Sequence, residues 1–211
     1  MNKFNFNAVD DFDKHILFSI PNYGQLFTQV KDFVEVFQQD NTVVLDLGCS
    51  TGKLLTEVDK IKASYVGIDA SNLIPKSTEV IEFIQQDLLD YSFPQECSVV
   101  VSMFLLQFLH RKDRVPTLNK IRDSLTVNGC FIVCEKTHYD DPRIEALNNT
   151  NYLEWKRQNF TDKEIMDKSE VLTRSMWLST QTELEKELAV VGTPVLFWKS
   201  FSFVAYIVFK R

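Results

Sequence analysis

The fold of this chain is decided by the run Thr42-Val43-Val44-Leu45-Asp46-Leu47-Gly48-Cys49-Ser50-Thr51-Gly52, in which an apolar strand ends in a tight, glycine-bearing turn. A second acidic segment, Val66-Gly67-Ile68-Asp69, follows about twenty residues after Gly48, the spacing that lets a nucleotide-type βαβ unit bring a carboxylate beside the turn. Gly48 and Gly52 let the backbone approach a ligand, and the following helix offers its N-terminal N–H groups. Ser50 stands where a dinucleotide fingerprint has a third glycine, so the loop alone leaves a nucleotide-like ligand undecided.

Composition is that of an ordinary globular protein. The 211 residues fit one domain, 45% are hydrophobic and 25% are charged, and 17 phenylalanines can fill a core and line an apolar pocket. The net charge of −6 argues against a broad nucleic-acid face. There is no leader-like N-terminus, no apolar run of transmembrane length and no CxxC pair among the four cysteines. We therefore expect one cytoplasmic domain over residues 1–211, with no membrane contact and no direct nucleic-acid partner.

Strand-length apolar runs alternate with helical patterns, which predicts a mainly parallel sheet with helices on both faces. The last two runs leave no room for a crossover helix, so they must form an antiparallel hairpin. This arrangement resembles the class I methyltransferase (Rossmann-like) fold, an α/β fold of seven strands whose ligand lies at the carboxyl ends of the strands. The predicted strands are 42–47, 64–68, 80–85, 97–103, 129–135, 193–200 and 202–209, and the predicted helices are 52–62, 112–126 and 181–191.

Two aromatic-rich segments are additional to that sheet. Residues 1–40 precede the first strand, and residues 138–178 lie between the fifth strand and the last helix. We expect both over the carboxyl edge of the sheet, the first as a helical lid and the second as a cap insertion above a substrate. The alternative is that their aromatic side chains only pack the added helices against the core.

Acidic residues stand at or near the ends of three successive predicted strands. Asp69 is the candidate ribose ligand, and Asp87 can accept a hydrogen bond from an adenine amino group. Asp46, inside the first strand, either organises the glycine turn or meets the positively charged end of the ligand, because opposite charges attract strongly in a partly dry cleft. Any one of the three alone is typical of a solvated loop. Together they favour a nucleoside site.

Motifs of several other enzyme classes are missing. The segment after the fourth strand, Ser102-Met103-Phe104-Leu105, has no Asn/Asp-Pro-Pro-aromatic motif of the kind that holds a flipped base. There is no Gly-Lys-Ser/Thr phosphate loop and no G-x-S-x-G elbow, and the three histidines lack metal-ligand spacing. His110 could act as a general base, but beside Arg111 and Lys112 it is more typical of a surface residue. We predict no metal and assign no catalytic residue.

With these residues in hand, the chain resembles the S-adenosyl-L-methionine (SAM)-dependent class I methyltransferases, and within them it looks most like the carboxy-S-adenosyl-L-methionine synthase family. The glycine turn is common to many methyltransferases, whereas other segments are more specific to this family. The resemblance rests on Phe18-Ser19-Ile20-Pro21-Asn22-Tyr23, the turn 46–52, Leu106-Gln107-Phe108-Leu109, Glu135-Lys136 and Lys156-Arg157-Gln158-Asn159-Phe160.

The resemblance implies a SAM pocket and a particular reaction. Members of the family take SAM and prephenate and make a carboxylated sulfonium, which a partner enzyme uses to modify a wobble uridine of tRNA; the resemblance also implies a homodimer. The family pocket matches Tyr23, Gly48, Ser50, Asp69 and Asp87. Our full set of candidate SAM-binding residues is Tyr23, Asp46, Gly48, Cys49, Ser50, Gly52, Asp69, Ala70, Asp87, Leu88 and Met103.

The chain departs from the family at two polar positions. The family has an arginine directly after the lysine that matches Lys168, where this chain has Ser169, and an asparagine where this chain has Met103. Serine cannot form a bidentate ion pair with a carboxylate, and methionine offers no donor. Arg174 or Arg157 would have to replace the lost arginine. The cap and substrate candidates are Tyr152, Trp155, Arg157, Ser169 and Arg174.

Three hypotheses follow, in order of preference. The first is methyl transfer from SAM to a small apolar or aromatic molecule, favoured by the aromatic cap and the lost carboxylate-binding pair. The second is carboxy-SAM synthesis with a relocated arginine, favoured by the length of the resemblance. The third is different SAM chemistry, a cyclase or lyase, or a non-catalytic SAM-binding regulator. The acceptor substrate cannot be identified from the motifs, which report the cofactor.

Overall fold

The computed structural model describes residues 12–210, and its centre is a seven-stranded sheet with the strand order β3-β2-β1-β4-β5-β7-β6. Residues 1–11 of the expected lid lie outside the described residues. The strands are β1 (Val43–Leu47), β2 (Ser64–Asp69), β3 (Ile81–Gln85), β4 (Cys97–Met103), β5 (Leu125–Lys136), β6 (Pro194–Ser200) and β7 (Phe203–Phe209).

Strand directions in this sheet confirm the predicted α/β fold. Strands β1 to β5 pair in parallel, while β7 is antiparallel to both β5 and β6. Strand β1 lies between β2 and β4, so the chain leaves the sheet in opposite directions on either side of it. A crevice opens at the carboxyl ends of the strands at such a switch point.

Seven α-helices surround the sheet within the described residues, and several begin at clear sequence signals. Thr161 and Thr180 form capping boxes with the glutamates three residues on, and Asp141 caps a helix that starts with proline. The helices are α1 (Phe12–Leu17), α2 (Tyr23–Phe37), α3 (Lys53–Glu57), α4 (Arg111–Ser124), α5 (Pro142–Lys156), α6 (Asp162–Ser175) and α7 (Gln181–Leu188).

The core has two layers, one on each face of the sheet. Alternate residues of a strand buried on both sides serve different layers: Val99 and Val101 pack in the layer that contains α2, whereas Val100 packs in the layer that contains α4 and α7. Leu26 of α2 is fully buried in the first layer. Helix α2 is therefore largely a core helix, and within residues 12–40 the part over the carboxyl edge of the sheet is α1, the loop that follows it and the start of α2.

The helix expected over 181–191 ends at Leu188, and boundaries in two other places were also wrong. The helix expected over 52–62 ends at Glu57, because Val58 turns into extended backbone and is buried. The helix expected to reach 126 ends at Ser124, and β5 starts at Leu125 rather than 129, where Leu125 pairs with Cys97 ahead of an irregularity in the register. In both places burial of one apolar residue against the sheet overrides the local helical pattern.

Candidate active site

A cavity lies at the carboxyl edge of the sheet, between the strand ends and helices α1, α5 and α6. Its volume is about 1110 Å³, whereas ligand pockets commonly measure about 300–1,000 Å³. The cavity thus has room for a nucleoside and a second small molecule. Of the residues singled out from the sequence, the lining includes Tyr23, Asp46, Gly48, Cys49, Ser50, Asp69, Ala70, Asp87, Leu88, Met103, Tyr152, Ser169 and Arg174.

The turn after β1 is held in a conformation that needs glycine. Gly48 and Gly52 have positive φ angles of +73° and +69°. A Cβ on Gly48 would lie 3.1 Å from the Leu105 side chain, and one on Gly52 would lie 2.5 Å from the Phe83 ring. Gly48 presents open backbone to the cavity, whereas Gly52 packs behind the turn, caps the start of α3 and does not line the cavity.

Asp69 closes this turn from the end of β2. Its Oδ2 accepts a hydrogen bond from the Ser50 N–H at 2.9 Å, and its Oδ1 accepts one from the Ser71 N–H at 2.7 Å. The carboxylate lies beside the glycine turn, where the spacing from Gly48 predicts it. Ser50 has a positive φ, and its Oγ is buried without a hydrogen-bond partner among residues 12–210. A buried hydroxyl without a partner is destabilising, so this atom fits a site that a polar ligand completes.

Two further carboxylates extend from neighbouring strands, and with Asp69 they form what we call the acidic end of the cavity. Asp87, after β3, accepts a hydrogen bond from the Leu89 N–H at 3.0 Å. Asp46 is only 4% exposed within β1, and burial, with a smaller effect from the charge of Asp69, raises the pKa of its carboxyl to about 7. A cationic ligand beside Asp46 would stabilise its ionised form.

An apolar floor lies against the acidic end. The buried Tyr23 ring lies 6.4 Å from that of Phe104, measured between centroids, and Met103 at the end of β4 packs nearby. Cys49, in the turn, completes this surface. Burial raises the pKa of the Cys49 thiol far above its usual range, so this cysteine is a neutral, unreactive group.

The opposite end of the cavity is basic. We define this basic end by four side chains: Lys136 at the end of β5, Lys156 at the end of α5, Lys168 in α6 and His15 in α1. Burial first, and repulsion from the neighbouring lysines second, lower the pKa of Lys156 to about 8 and that of Lys168 to about 7. Burial and the nearby lysines also lower the pKa of His15 to about 4, so its ring is neutral at pH 7.

The buried carboxyl group of Glu135, which directly precedes Lys136, connects the end of β5 to the loop after β4. Glu135 is 2% exposed and accepts hydrogen bonds from the Leu106 and Gln107 N–H groups at 2.8 and 2.9 Å. Gln107 Oε1 in turn accepts a hydrogen bond from the Lys136 N–H at 2.9 Å. Burial raises the pKa of Glu135 to about 8, although the N–H donors oppose the rise. The segments 106–109 and 135–136 are therefore one structural unit that positions Lys136.

Helix α1 and the loop after it contact both ends of the cavity. Thr51, in the glycine turn, donates a hydrogen bond to Asp13 Oδ1 at 2.8 Å. At the basic end, Lys168 Nζ donates to Ser19 Oγ at 2.8 Å and contacts His15 Nε2, and the Tyr152 hydroxyl donates to the Ser19 carbonyl at 2.7 Å. These contacts hold α1 across the cavity.

The structure does not bring every candidate to the cavity. Arg157 is exposed and forms ion pairs with Glu154 and Asp162 at 2.5 and 2.8 Å, outside the lining. Trp155 stacks on Tyr152, with centroids 6.0 Å apart, and also lies outside the lining. Arg174 lines the mouth, where Glu170 pairs with it at 2.7 Å.

Sequence reasoning missed the basic end as a unit. Lys136 and Lys156 stood within segments that carry the family resemblance, and Lys168 entered only as the neighbour of Ser169. The one available signal was that these segments, far apart in sequence, each contain a lysine. No periodicity or spacing connects them.

Two surveys of residues 12–210 give negative results. No helix in that range is long and apolar enough to cross a membrane. No group of three histidine, cysteine, aspartate or glutamate side chains is arranged there to hold a metal ion.

Comparison with solved structures identifies the class of this protein. The methyltransferase domain family matches residues 44–129. The 1,6-didemethyltoxoflavin-N1-methyltransferase of Burkholderia thailandensis aligns over 88% of this chain and 78% of its own, with a TM-score of 0.60 and 13% identity. The magnesium protoporphyrin IX methyltransferase of Synechocystis aligns over 99% and 96%, with a TM-score of 0.61 and 12% identity. The chain is thus a protein of the class I methyltransferase fold.

Curated relatives define the family within that class. A carboxy-S-adenosyl-L-methionine synthase of Staphylococcus epidermidis is 30% identical over 173 residues, which cover 77% of this chain and 75% of the relative. A relative of the same name from Shewanella sp. (strain ANA-3) is 30% identical over 217 aligned positions, covering 94% of this chain and 88% of the relative. This chain belongs to the carboxy-S-adenosyl-L-methionine synthase family. It is a SAM-dependent transferase, and SAM is its cofactor.

Proposed function

We propose that this protein is a carboxy-S-adenosyl-L-methionine synthase, which uses SAM and prephenate to make a carboxylated sulfonium. The observation that carries the proposal is the cavity itself. A single cavity of about 1110 Å³ extends from the acidic end, at the glycine turn, to the basic end under α5 and α6. A reaction between SAM and a second small molecule needs the binding sites of both molecules in the same cavity. The similarity to relatives of that name over 94% of the chain supports the choice of reaction.

In this proposal SAM binds at the acidic end. Asp69 accepts hydrogen bonds from the ribose, Asp87 accepts one from the adenine amino group, and Asp46 faces the positively charged amino acid end. Gly48 permits close approach of the backbone, and the Ser50 hydroxyl gains the partner that it lacks within the described residues. The surrounding wall consists of Tyr23, Cys49, Ala70, Leu88 and Met103.

In this proposal the protein also positions the two substrates against each other and excludes water from them. In this reaction a C–C bond forms between the SAM methyl carbon and the carboxyl carbon that leaves prephenate. The methyl carbon gives up one proton, which departs with the ring hydroxyl of prephenate as water, so holding the two substrates against each other contributes much of the rate. Helix α1 acts as the lid and the segment 138–178 as the cap. Their contacts through Asp13 and Ser19 keep solvent from the reacting groups.

Methyl transfer to a small aromatic molecule is the second candidate. It is favoured by Ser169 and Met103, which line the cavity where the family carries an arginine and an asparagine. Neither side chain can pair with a carboxylate in the family's manner. The aromatic rings of Tyr152 and Phe203 at the same end could pack against an aromatic acceptor.

Mass spectrometry of reaction mixtures distinguishes the two reactions. The purified protein is incubated with SAM alone and with SAM plus prephenate, and the small molecules are then extracted. A prephenate-dependent species heavier than SAM by one carboxylate group is the expected result. Release of S-adenosylhomocysteine with an added acceptor, and no such species, would instead establish methyl transfer. Consumption of SAM without any second substrate would contradict both.

A further inference from the structure

Three lysine ammonium groups converge on the basic end from three different elements. The Nζ atoms of Lys136 and Lys156 each lie 5.2 Å from the centroid of the Tyr152 ring. Lys168 Nζ occupies a second position, where it donates to Ser19 Oγ at 2.8 Å and contacts the neutral His15 ring. The cavity wall therefore carries positive charge at two places, one at Tyr152 and one at Ser19.

Within residues 12–210 these cations lack the carboxylate partners that buried lysines usually have. Among residues 12–210, no ion pair within 4 Å involves any of the three. The acids whose charges reach the basic end are Glu145 and Glu164. Both are engaged elsewhere, because Glu145 accepts hydrogen bonds from the Tyr139 N–H and Asn149 and contacts His138, and Glu164 completes the α6 capping box.

Such an arrangement is unfavourable unless something else compensates the charge. Lys156 is 7% exposed, and a buried ammonium group without a counter-charge is strongly destabilising. The excess of positive charge is also local, since the whole chain carries a net charge of −6. Three lysines held at the wall of a cavity in an acidic protein thus indicate that the cavity receives an anion there.

We propose that Lys136, Lys156 and Lys168 form the subsite for the second substrate and that they bind a small organic acid with two carboxylates. One carboxylate pairs with Lys136 and Lys156 near the Tyr152 ring, and the other pairs with Lys168 beside Ser19. The apolar body of the acid packs against Tyr152 and Phe203, which line the same end. This inference rests on the proposed function for the presence of a second substrate, and it assigns the residues that recognise it.

Isothermal titration calorimetry with prephenate tests the subsite on protein saturated with S-adenosylhomocysteine. Lys156→Met and Lys168→Met keep an unbranched side chain one atom shorter and remove its charge, and each is expected to weaken prephenate binding about 10- to 100-fold. Lys163→Met is the matched control, because Lys163 lies on the same helix as Lys168, is 83% exposed and pairs with Asp167. Its affinity is expected to stay within about twofold of wild type.

Thermal unfolding separates loss of the ligand from loss of the fold. Since burial disfavours the charged amine, the melting temperatures of Lys156→Met and Lys168→Met are expected at or above that of wild type. A monocarboxylate probe, phenylpyruvate, is expected to bind wild type at least about tenfold more weakly than prephenate does. Equal binding of the two acids would overturn the assignment of two carboxylates.

The subsite and the reaction can fail separately. If wild type forms carboxy-SAM and both methionine variants retain the wild-type KM for prephenate, the subsite is wrong and the reaction stands. If prephenate binds in a lysine-dependent manner but no carboxy-SAM forms, the reaction is wrong and the subsite stands. If wild type binds neither acid at millimolar concentration, the subsite is overturned.

Discussion

The two ends of the cavity are built in opposite ways. The acidic end uses Asp46, Asp69 and Asp87, which follow one another at or near the ends of β1, β2 and β3 and are brought together by sheet register alone. The basic end uses side chains from α1, β5, α5 and α6, which meet only when these helices pack over the edge of the sheet. The comparison shows that a site made by neighbouring strands is visible in sequence spacing, whereas one made by tertiary packing is not.

Removal of the Asp69 carboxylate should have the largest effect and should act on the acidic end. Asp69→Ala removes both the proposed ribose acceptor and the group that holds the Ser50 and Ser71 N–H groups. We expect SAM affinity to fall at least about 100-fold, since hydrogen bonds to a charged group are the strong ones. Calorimetric titration with SAM measures the change. Asp40→Ala, at an exposed site outside the cavity, should bind SAM like wild type, and an unchanged affinity for Asp69→Ala would contradict the assignment.

Introduction of an arginine at position 169 should increase the affinity of the basic end for a carboxylate and leave the acidic end unchanged. Ser169→Arg places a guanidinium beside Lys168, and a guanidinium can pair with a carboxylate in bidentate geometry. We expect the KM for prephenate to fall about tenfold while the KM for SAM changes little. Ser169→Met serves as a control of similar bulk without charge. An equal effect of both substitutions would show that bulk, and not charge, matters at this position.

The two ends should respond to pH in opposite directions. Asp46, with a pKa of about 7, gains its negative charge as the pH rises through 7, so affinity for the cationic SAM should increase. Lys168 and Lys156, with pKa values of about 7 and 8, lose their positive charge as the pH rises, so affinity for prephenate should decrease. Changes of about tenfold are expected between pH 6 and pH 9.

Calorimetry of two variants across the same pH range tests which groups cause affinity to change with pH. Asp46→Asn should flatten the slope for SAM, and Lys168→Met should flatten the slope for prephenate, because each removes the titrating group. Groups that face Lys168 from its surroundings, namely His15, Lys136 and Lys156, remain in the second variant and would account for any residual slope. If the wild-type affinities for SAM and prephenate changed in the same direction with pH, the assignment of opposite charges to the two ends would be contradicted.

Removal of Arg157 should have the smallest effect. Its side chain lies outside the cavity in exposed ion pairs with Glu154 and Asp162, which contribute little in water. We expect Arg157→Ala to bind SAM and prephenate within about twofold of wild type. A loss of prephenate binding in this variant would show that α5 and α6 rearrange to bring Arg157 into the cavity, where it could bind the carboxylate.

Much of the fold could be predicted from the sequence because buried strands impose strong apolar patterns. The seven strands, the antiparallel hairpin of β6 and β7 and the location of Asp69 beside the glycine turn all follow from local spacing. The early end of α3 did not, since it depends on burial of Val58 against the sheet. The approach of both Lys136 and Lys156 to the Tyr152 ring depends on where α5 packs, which no local pattern encodes.

The single span of α1 across the cavity has a kinetic consequence. Asp13 contacts the glycine turn and His15 contacts Lys168, so one short helix bridges the acidic and basic ends. We expect movement of this helix to open both ends of the cavity together, so that the residence times of the two ligands are coupled. A second ligand that reinforces the contact at one end slows the escape of the first from the other end. Molecules acquired in the cell should accordingly persist through purification, and exchange by dialysis should be slow.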